Sequence, residues 1–421
     1  MTRVILASVL VIAMQTRGQA EWSQFQGNSS HTGYASGNFD AEHFTQKWNL
    51  RMTLATDVAV QGNALYVTQV GTKSSRVATV SRIDASSGDV QWSTKLPYRS
   101  PNGVSAPSVQ GDNVYVHRWG HSSISGSTDP NDQPALVGLS AADGKQLFAT
   151  QHSGQWYSGS RPTIDGDAIF SSGGYYGGLD AYDTNGTHRW FAELNLEDGW
   201  IPAADSQNVY AYLEEAGTSP GPYVGRLYIA DRQTGSWRAI VHPRSVGFRT
   251  TITDDGSVML DGSGNAYALS RITGSSALVS FNTVANNINW EADGFWSDNP
   301  AMNNGVIALP EGQSLVFLDA NTGVRQWSWA HSAKVVGNVV LTDSVAFVNT
   351  DTGIHAIDLV SRTSVWSTPV SGRIALSDGV LYVVSNEGIF AFGAVPEPAS
   401  GIVMAIAFGM VVSVSRLRNS S

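Results

Sequence analysis

The stretches IDASSGDVQW (83–92) and LDANTGVRQW (318–327) align without a gap although more than half of the chain separates them. Each starts with an apolar residue and an aspartate, crosses a polar run to a glycine, and ends on tryptophan. Aspartate bends a chain by accepting local amide hydrogens, and glycine supplies the positive φ that the bend needs. The unit therefore reads as strand, tight turn, strand. IDLVSRTSVW (357–366) keeps the aspartate and tryptophan but has Arg362 in the glycine's place. LSAADGKQLF (139–148) substitutes Ser140 and Phe148, and IADRQTGSWRA (229–239) keeps Asp231 and Gly235. LDAYDTNGTHRW (179–190) closes with Gly186 and Trp190, and LSRITGSSAL (269–278) is the most worn copy. Four residues past the glycine position stand Trp92, Phe148, Trp190, Trp327 and Trp366, a regular place that predicts packing between neighbouring sheets.

A second element precedes each copy. VAVQGNALYV (58–67), APSVQGDNVYV (106–116), RPTIDGDAIF (161–170) and IPAADSQNVYAY (201–212) share an extended start, a polar turn and a second strand. TITDDGSVML (251–260), NPAMNNGVIAL (299–309), VLTDSVAFV (340–348) and IALSDGVLYVV (374–384) repeat it. A period of about 40 to 50 residues with four short strands suits a propeller blade. The eighth start has no Gly-x-x-x-Trp finish, but HFTQKWNL (43–50) is a strand with its own Trp48 and no blade before it. The N-terminal strand is predicted to complete the last blade, because closing the ring removes exposed strand edges. The expected fold is all-β: an eight-bladed β-propeller of four-stranded antiparallel blades over 21–394.

The repeat x-D-x-x-T-G-x-x-x-W resembles that of the pyrroloquinoline-quinone-type (PQQ-like) propeller proteins, and EWSQFQGNSSHTGY (21–34) is similar to the opening of secreted members. The resemblance covers nearly all of the chain between its termini. It implies the fold and no particular activity.

Both termini carry signals of a different kind. Arg3, the apolar run Val4 to Met14 and the small-residue site Gly18-Gln19-Ala20, with the cut expected between Ala20 and Glu21, have the pattern of a secretory signal peptide over 1–20. At the other end, Gly401 to Ser415 is apolar and spans about 22 Å as a helix, against a hydrocarbon core of about 30 Å. Ala399 and Ser400 extend it, and Arg416 and Arg418 follow on the side where cations belong. Pro396, Glu397 and Pro398, then a transmembrane helix over 399–415, then a basic tail resemble the PEP-CTERM sorting signal of bacterial exported proteins. The resemblance implies transient anchoring in the inner membrane through 395–421, processing by an exosortase, and delivery to the cell surface or extracellular matrix.

Composition narrows the function. Cysteine is absent, so neither a disulfide nor a lipoprotein thiol is available. A net charge of −10 argues against nucleic acid as a partner, since binding its phosphates needs a basic surface. Charged residues are 14% of the chain, against 43 glycines and 13 tryptophans, which again fits turn-rich β structure.

A PQQ-dependent quinoprotein dehydrogenase, with quinone and calcium on the propeller axis, is the enzymatic alternative that the resemblance implies. Its usual vicinal disulfide has no counterpart here, and no stretch matches the family's calcium ligands or base. HRWGH (117–121) places two histidines in a glycine-containing loop, where solvated side chains are expected rather than a metal site. YSGSRP (157–162) has serines without a partner histidine in register, and SSGGYYGG (171–178) opens no helix that would cradle phosphate. No catalytic or metal-binding residue is predicted.

A binding surface is the better expectation. Ahead of several innermost strands stand Trp156, Tyr157 and Arg161, then Trp200, then Phe248 and Arg249, then Phe295 and Trp296. Loops leading into innermost strands converge on one propeller face, and exposed aromatics beside arginine grip sugar rings or peptide side chains. The sequence thus predicts an exported, non-enzymatic propeller that binds polysaccharide or an envelope protein, or serves as a scaffold like the assembly platforms of the outer membrane.

Overall fold

A computed structural model of the chain describes residues 21–72, 74–98, 103–119, 133–151, 160–173, 177–194, 200–216, 223–244, 257–272, 275–297 and 299–394. Ala20 and the rest of the expected leader, Pro396, Glu397, Pro398 and the helix expected over 399–415 lie outside the described residues, as do Trp156, Tyr157, Phe248 and Arg249. Among the described residues no helix is long and apolar enough to cross a membrane.

Eight four-stranded antiparallel sheets follow one another, with two single turns of 3-10 helix as the described helical structure. Blade 1 begins with strand Ala59–Gln61, blade 2 with Ser108–Gln110, blade 3 with Thr163–Asp165 and blade 4 with Ala203–Ala204. Blade 5 begins with Met259–Leu260, blade 6 with Ala301–Asn303, blade 7 with Val335–Leu341 and blade 8 with Arg373–Ser377. In every blade the first strand is innermost and the chain works outward. The outermost strand of blade 8 is Phe44–Arg51, which pairs antiparallel with Gly388–Ala394 and joins the two ends of the described chain. The innermost strands of blades 8 and 1 touch, so the ring is closed as the sequence predicts. Second strands such as Ala64–Gln69 are buried on both faces, third strands such as Val77–Asp84 are buried or partly buried throughout, and outer strands such as Val90–Pro97 alternate towards solvent.

One device joins four of the eight pairs of neighbouring blades. The tryptophan that ends a repeat lies flat on the turn before the glycine of the next blade and donates its indole N–H to the carbonyl just after the residue that opens that turn, aspartate or, in blade 2, Ser140. Trp92 donates to Ala141 at 3.0 Å, Trp190 to Arg232 at 3.0 Å and Trp290 to Ala320 at 3.0 Å. Trp48 of the closing strand donates to Ala85 of blade 1 at 2.9 Å, so the ring closes with the same bond that spaces its interior. The turn glycine serves this contact twice. Gly144 holds φ +71°, and a Cβ there would stand 2.6 Å from the Trp92 ring, well inside contact distance.

Two departures from the pattern keep the same carbonyl occupied. Phe148 has no N–H, and the Tyr115 hydroxyl donates to Thr184 O instead, at 2.9 Å. Blade 4 has Ala239 at the tryptophan position, and the Arg238 guanidinium donates to Thr283 O at 2.9 Å. In blade 7 Arg362 adopts φ +60° where glycine stood, and its cation sits 5.1 Å from the centre of the Trp327 ring.

Blade 5 corrects the sequence reading twice. LSRITGSSAL (269–278) spans the hairpin between strands Asn265–Ile272 and Ser275–Asn282, not the repeat turn. The repeat turn is 282–287: Asn282 Oδ1 accepts from the amides of Val284 and Ala285, Asn286 holds φ +59°, and Trp290 follows four residues later. Asparagine both caps a bend and tolerates positive φ, so this turn is written without aspartate or glycine. In TITDDGSVML (251–260) the last two residues form the innermost strand, and the hairpin turns at 261–264 instead of 254–256.

The opening segment fills the axis. Innermost strands have no inner neighbour, so each leaves backbone N–H groups facing the channel. Residues 22–35 meet these in chain order. Val60 N–H donates to Trp22 O at 2.8 Å, Val109 to Ser23 O at 2.9 Å, and Ile164 to the Gln24 side-chain oxygen at 2.7 Å. Ala204 then donates to Ser29 O, Leu260 to Ser30 O, Met302 to Thr32 O and Leu341 to Gly33 O, all between 2.7 and 2.9 Å. Seven blades are thus visited in order before the chain turns out to complete the eighth. At Gly33 the passage is so close that a Cβ would stand 2.7 Å from that of Ala301.

Candidate functional site

The channel has two ends. Asp-to-Gly turns lie on one face, and the connections that lead into innermost strands cross the other, the mouth face. Beneath the mouth a pocket of about 70 Å³ remains above the axial segment, between Trp22, Phe25 and Gln26 and the starts of three innermost strands. Those starts contribute Asp57, Arg161 and Arg373.

Arg161 is 3% exposed and reaches from blade 3 across blade 2 to blade 1. Its Nε donates to Ser108 Oγ at 3.3 Å and its Nη2 to Val58 O at 3.0 Å. Among the described residues no carboxylate pairs with it, and Asp57 is held by Arg373 at 2.9 Å. Burial draws the Arg161 pKa down to about 10, with the more distant Asp57 charge opposing. A positive charge in a dry place without a counter-ion is electrostatically costly. On the blade 7 side, Asn338 exchanges two hydrogen bonds with the backbone of Ile374 and fixes the wall.

His31 stands deeper on the axis, 2% exposed, its Nδ1–H donating to Val258 O at 3.1 Å. Burial dominates and takes its pKa down to about 3; the Val258 bond opposes this and the Arg161 charge adds to it. With the folded value below the unfolded one of about 6.5, the unfolded chain takes up the proton first as the pH falls. Stability should therefore drop from about pH 6.5 down to about pH 3, by up to ~1.4 kcal/mol per pH unit. Melting at pH 7.5 and pH 5 should differ by about 2 kcal/mol less in His31→Gln than in the parent chain. An unchanged difference in the variant would show that His31 does not carry the acid sensitivity.

Two of the aromatics expected to stand exposed at the mouth, Trp200 and Trp296, are buried instead. Trp200 is 3% exposed and packs in the core between blades 3 and 4; Trp296 is 7% exposed and packs between blades 5 and 6, with the Arg325 cation 4.8 Å from its ring centre. An indole at the open end of an interblade core gains more by covering that core than by standing in water. The two indoles thus belong to different interblade cores. Phe295 is the exposed neighbour, at 70%. Arg161 is buried as well, yet it reaches the pocket. Asp57 and Arg373 were missed, although both precede or open an innermost strand in the register of Arg161.

Two histidine groups carry no accessible chemistry. His117 is 1% exposed on the strand Asn113–Arg118, its ring bonded to Ser160 O at 2.9 Å, so it is not the solvated loop residue that HRWGH implies. His242 meets Ser270 Oγ at 3.0 Å and Glu291 at 3.4 Å, a serine–histidine–carboxylate set that sequence spacing hides. Ser270 is 1% exposed and His242 is fully buried, so the set ties blade 4 to blade 5 and no substrate reaches it.

Among the described residues no three His, Cys, Asp or Glu side chains gather as a metal site. Pockets for drug-sized ligands run to roughly 300–1,000 Å³, so a tricyclic quinone does not fit the axial pocket of about 70 Å³.

What these features define is a closed propeller whose axis is occupied by its own chain, with a narrow cationic pocket at one mouth. The family model described as outer membrane protein assembly factor BamB matches residues 8–277 and 131–368, and the chain belongs to that family. Among curated proteins no match is found. Among solved structures, BamB from Moraxella catarrhalis superposes with a TM-score of 0.61 at 14% identity, over 84% of this chain and 100% of that one. A europium-containing methanol dehydrogenase superposes with a TM-score of 0.67 at 13% identity, over 88% and 90%. At such identities both describe the fold alone, and they stand on either side of the line between binding module and enzyme.

Proposed function

We propose that this propeller is a non-enzymatic binding and scaffold module of the bacterial cell envelope whose partner is an envelope protein. The observation that carries the reading is the axial segment: residues 22–35 occupy the place where a propeller enzyme would hold its cofactor. The family description, an outer membrane protein assembly factor, supports the same partner class. Export through the leader 1–20 and anchoring through 395–421, followed by exosortase release to the cell surface or matrix, complete the reading. The last described residue, Ala394, pairs with Phe44 at the turn-face end of blade 8, so the tail is attached opposite the mouth. An anchored precursor then turns its mouth away from the membrane.

One experiment in a host carrying the sorting machinery tests both parts. A photo-crosslinking residue at position 295, on the mouth face, should give discrete protein adducts in intact cells. The Pro396→Ala, Glu397→Ala, Pro398→Ala variant should stay in the membrane fraction. Adducts with polysaccharide alone would replace the envelope-protein reading with a matrix-binding one. Quinone- and calcium-dependent alcohol oxidation by the purified chain would replace it with the dehydrogenase. Normal release of the triple variant would leave a plain tail anchor.

A further inference from the structure

We propose that the axial pocket is a carboxylate site: it takes one acidic side chain or terminal carboxylate of a peptide partner, on the free edge of Arg161. The inference rests on the envelope-protein reading for the identity of the partner, but not for the chemistry of the site. Three observations carry it.

The first is an unused donor. Arg161 Nε and Nη2 are engaged, while Nη1 has no partner among the described residues. Nη1 is nevertheless not among the sealed, unsatisfied polar atoms, and Arg161 lines the pocket. The edge that remains thus faces the space where a ligand would stand.

The second is charge. The ionisable groups lining the pocket are two guanidinium groups and one carboxylate, and that carboxylate already belongs to Arg373. One positive charge is left over in a chain whose net charge is −10. A buried charge is tolerated when it is paired, and a carboxylate matches the planar guanidinium edge.

The third is size and lining. About 70 Å³ between the rings of Trp22 and Phe25 and the side chain of Ile374 admits the end of a side chain and not a sugar ring with its hydroxyl shell. Gln26 and Asn299 supply polar atoms beside it. Arg161 also spans blades 1 to 3, so a bound carboxylate would be sensed by the joints of three blades at once.

Acetate, the smallest mimic of an acidic side chain, is the probe, so the test is independent of any partner. With the mature chain at pH 7.5 and constant ionic strength, saturation-transfer NMR should show contact with the acetate methyl. Acetate should also raise the melting temperature above that in chloride. Arg161→Gln should abolish both effects, and Arg161→Lys should weaken binding about tenfold, since an ammonium lacks the planar fork. Asp57→Asn removes the competing carboxylate and should tighten acetate binding several-fold. No transfer in the parent chain overturns the site, as does equal transfer in folded Arg161→Gln. If Arg161→Gln does not fold, unchanged affinity in Asp57→Asn overturns it. Failure here leaves the envelope-partner reading standing, and loss of the crosslinks at position 295 leaves the carboxylate site standing.

Discussion

A mature chain lacking residues 21–51 should fail to form a cooperatively melting, soluble ring. The deletion removes two structures that the rest of the fold needs. Seven innermost strands lose the acceptors for the amides of Val60, Val109, Ile164, Ala204, Leu260, Met302 and Leu341. A buried donor left unmade costs about 1–3 kcal/mol, so the set compares with the ~5–15 kcal/mol of a whole domain. Water entering the emptied channel recovers part of that. It cannot restore the second loss, the outermost strand of blade 8, which leaves Gly388–Ala394 as a bare edge open to aggregation. Trp366 also loses its acceptor, Phe44 O at 2.9 Å, and Ala85 loses the Trp48 ring that covers its turn. A shorter deletion of 21–35 keeps the closing strand and should give a soluble but less stable ring. The melting curves and elution volumes of the two deletions decide the matter: a chain without 21–51 that melts like the intact one would disprove both roles.

The second large effect concerns two tryptophans whose order the structure reverses. The repeat position of Trp327 predicts a core residue, and the place of Trp200 ahead of an innermost strand predicts an exposed one. In the fold Trp200 is buried between blades 3 and 4, while Trp327 is half-buried, stacked on Phe317 with 3.7 Å between ring centres. Trp200→Ala should therefore cost about 3–5 kcal/mol, a core truncation that leaves a cavity. Trp327→Ala should cost about 1–3 kcal/mol, because solvent already reaches one side of the ring. The Trp200 indole N–H has no partner among the described residues, so Trp200→Phe should recover most of the loss. Thermal melts of the three variants check this order. A larger loss at Trp327 than at Trp200 would mean that the repeat tryptophans, not those at the mouth, hold the blades.

Most of the fold was legible because it is written locally and repeated. Aspartate, glycine and tryptophan recur at one spacing since each turn poses the same stereochemical problem, and Trp48 without a blade of its own pointed to the closing strand. Blade 5 was misread for the converse reason: Asn282 and Asn286 solve that problem with residues the pattern does not contain. The site was far less legible. Arg161 was picked out for standing beside aromatics, yet its neighbours in the pocket, Asp57 and Arg373, come from blades 1 and 8.

By itself the sequence determined the blade unit, the number of blades, the strand that closes the ring and the absence of thiol chemistry, all consequences of short-range spacing and composition. Only the tertiary structure decided the rest. It placed EWSQFQGNSSHTGY along the axis, because the acceptors it offers are matched by donors on seven separate strands and no local pattern encodes that match. It buried Trp200 and Trp296, because exposure depends on which neighbouring blade lies alongside. It left Arg161 without a counter-ion among the described residues, because Asp57 was taken by Arg373, whose place beside it exists only once the ring has closed.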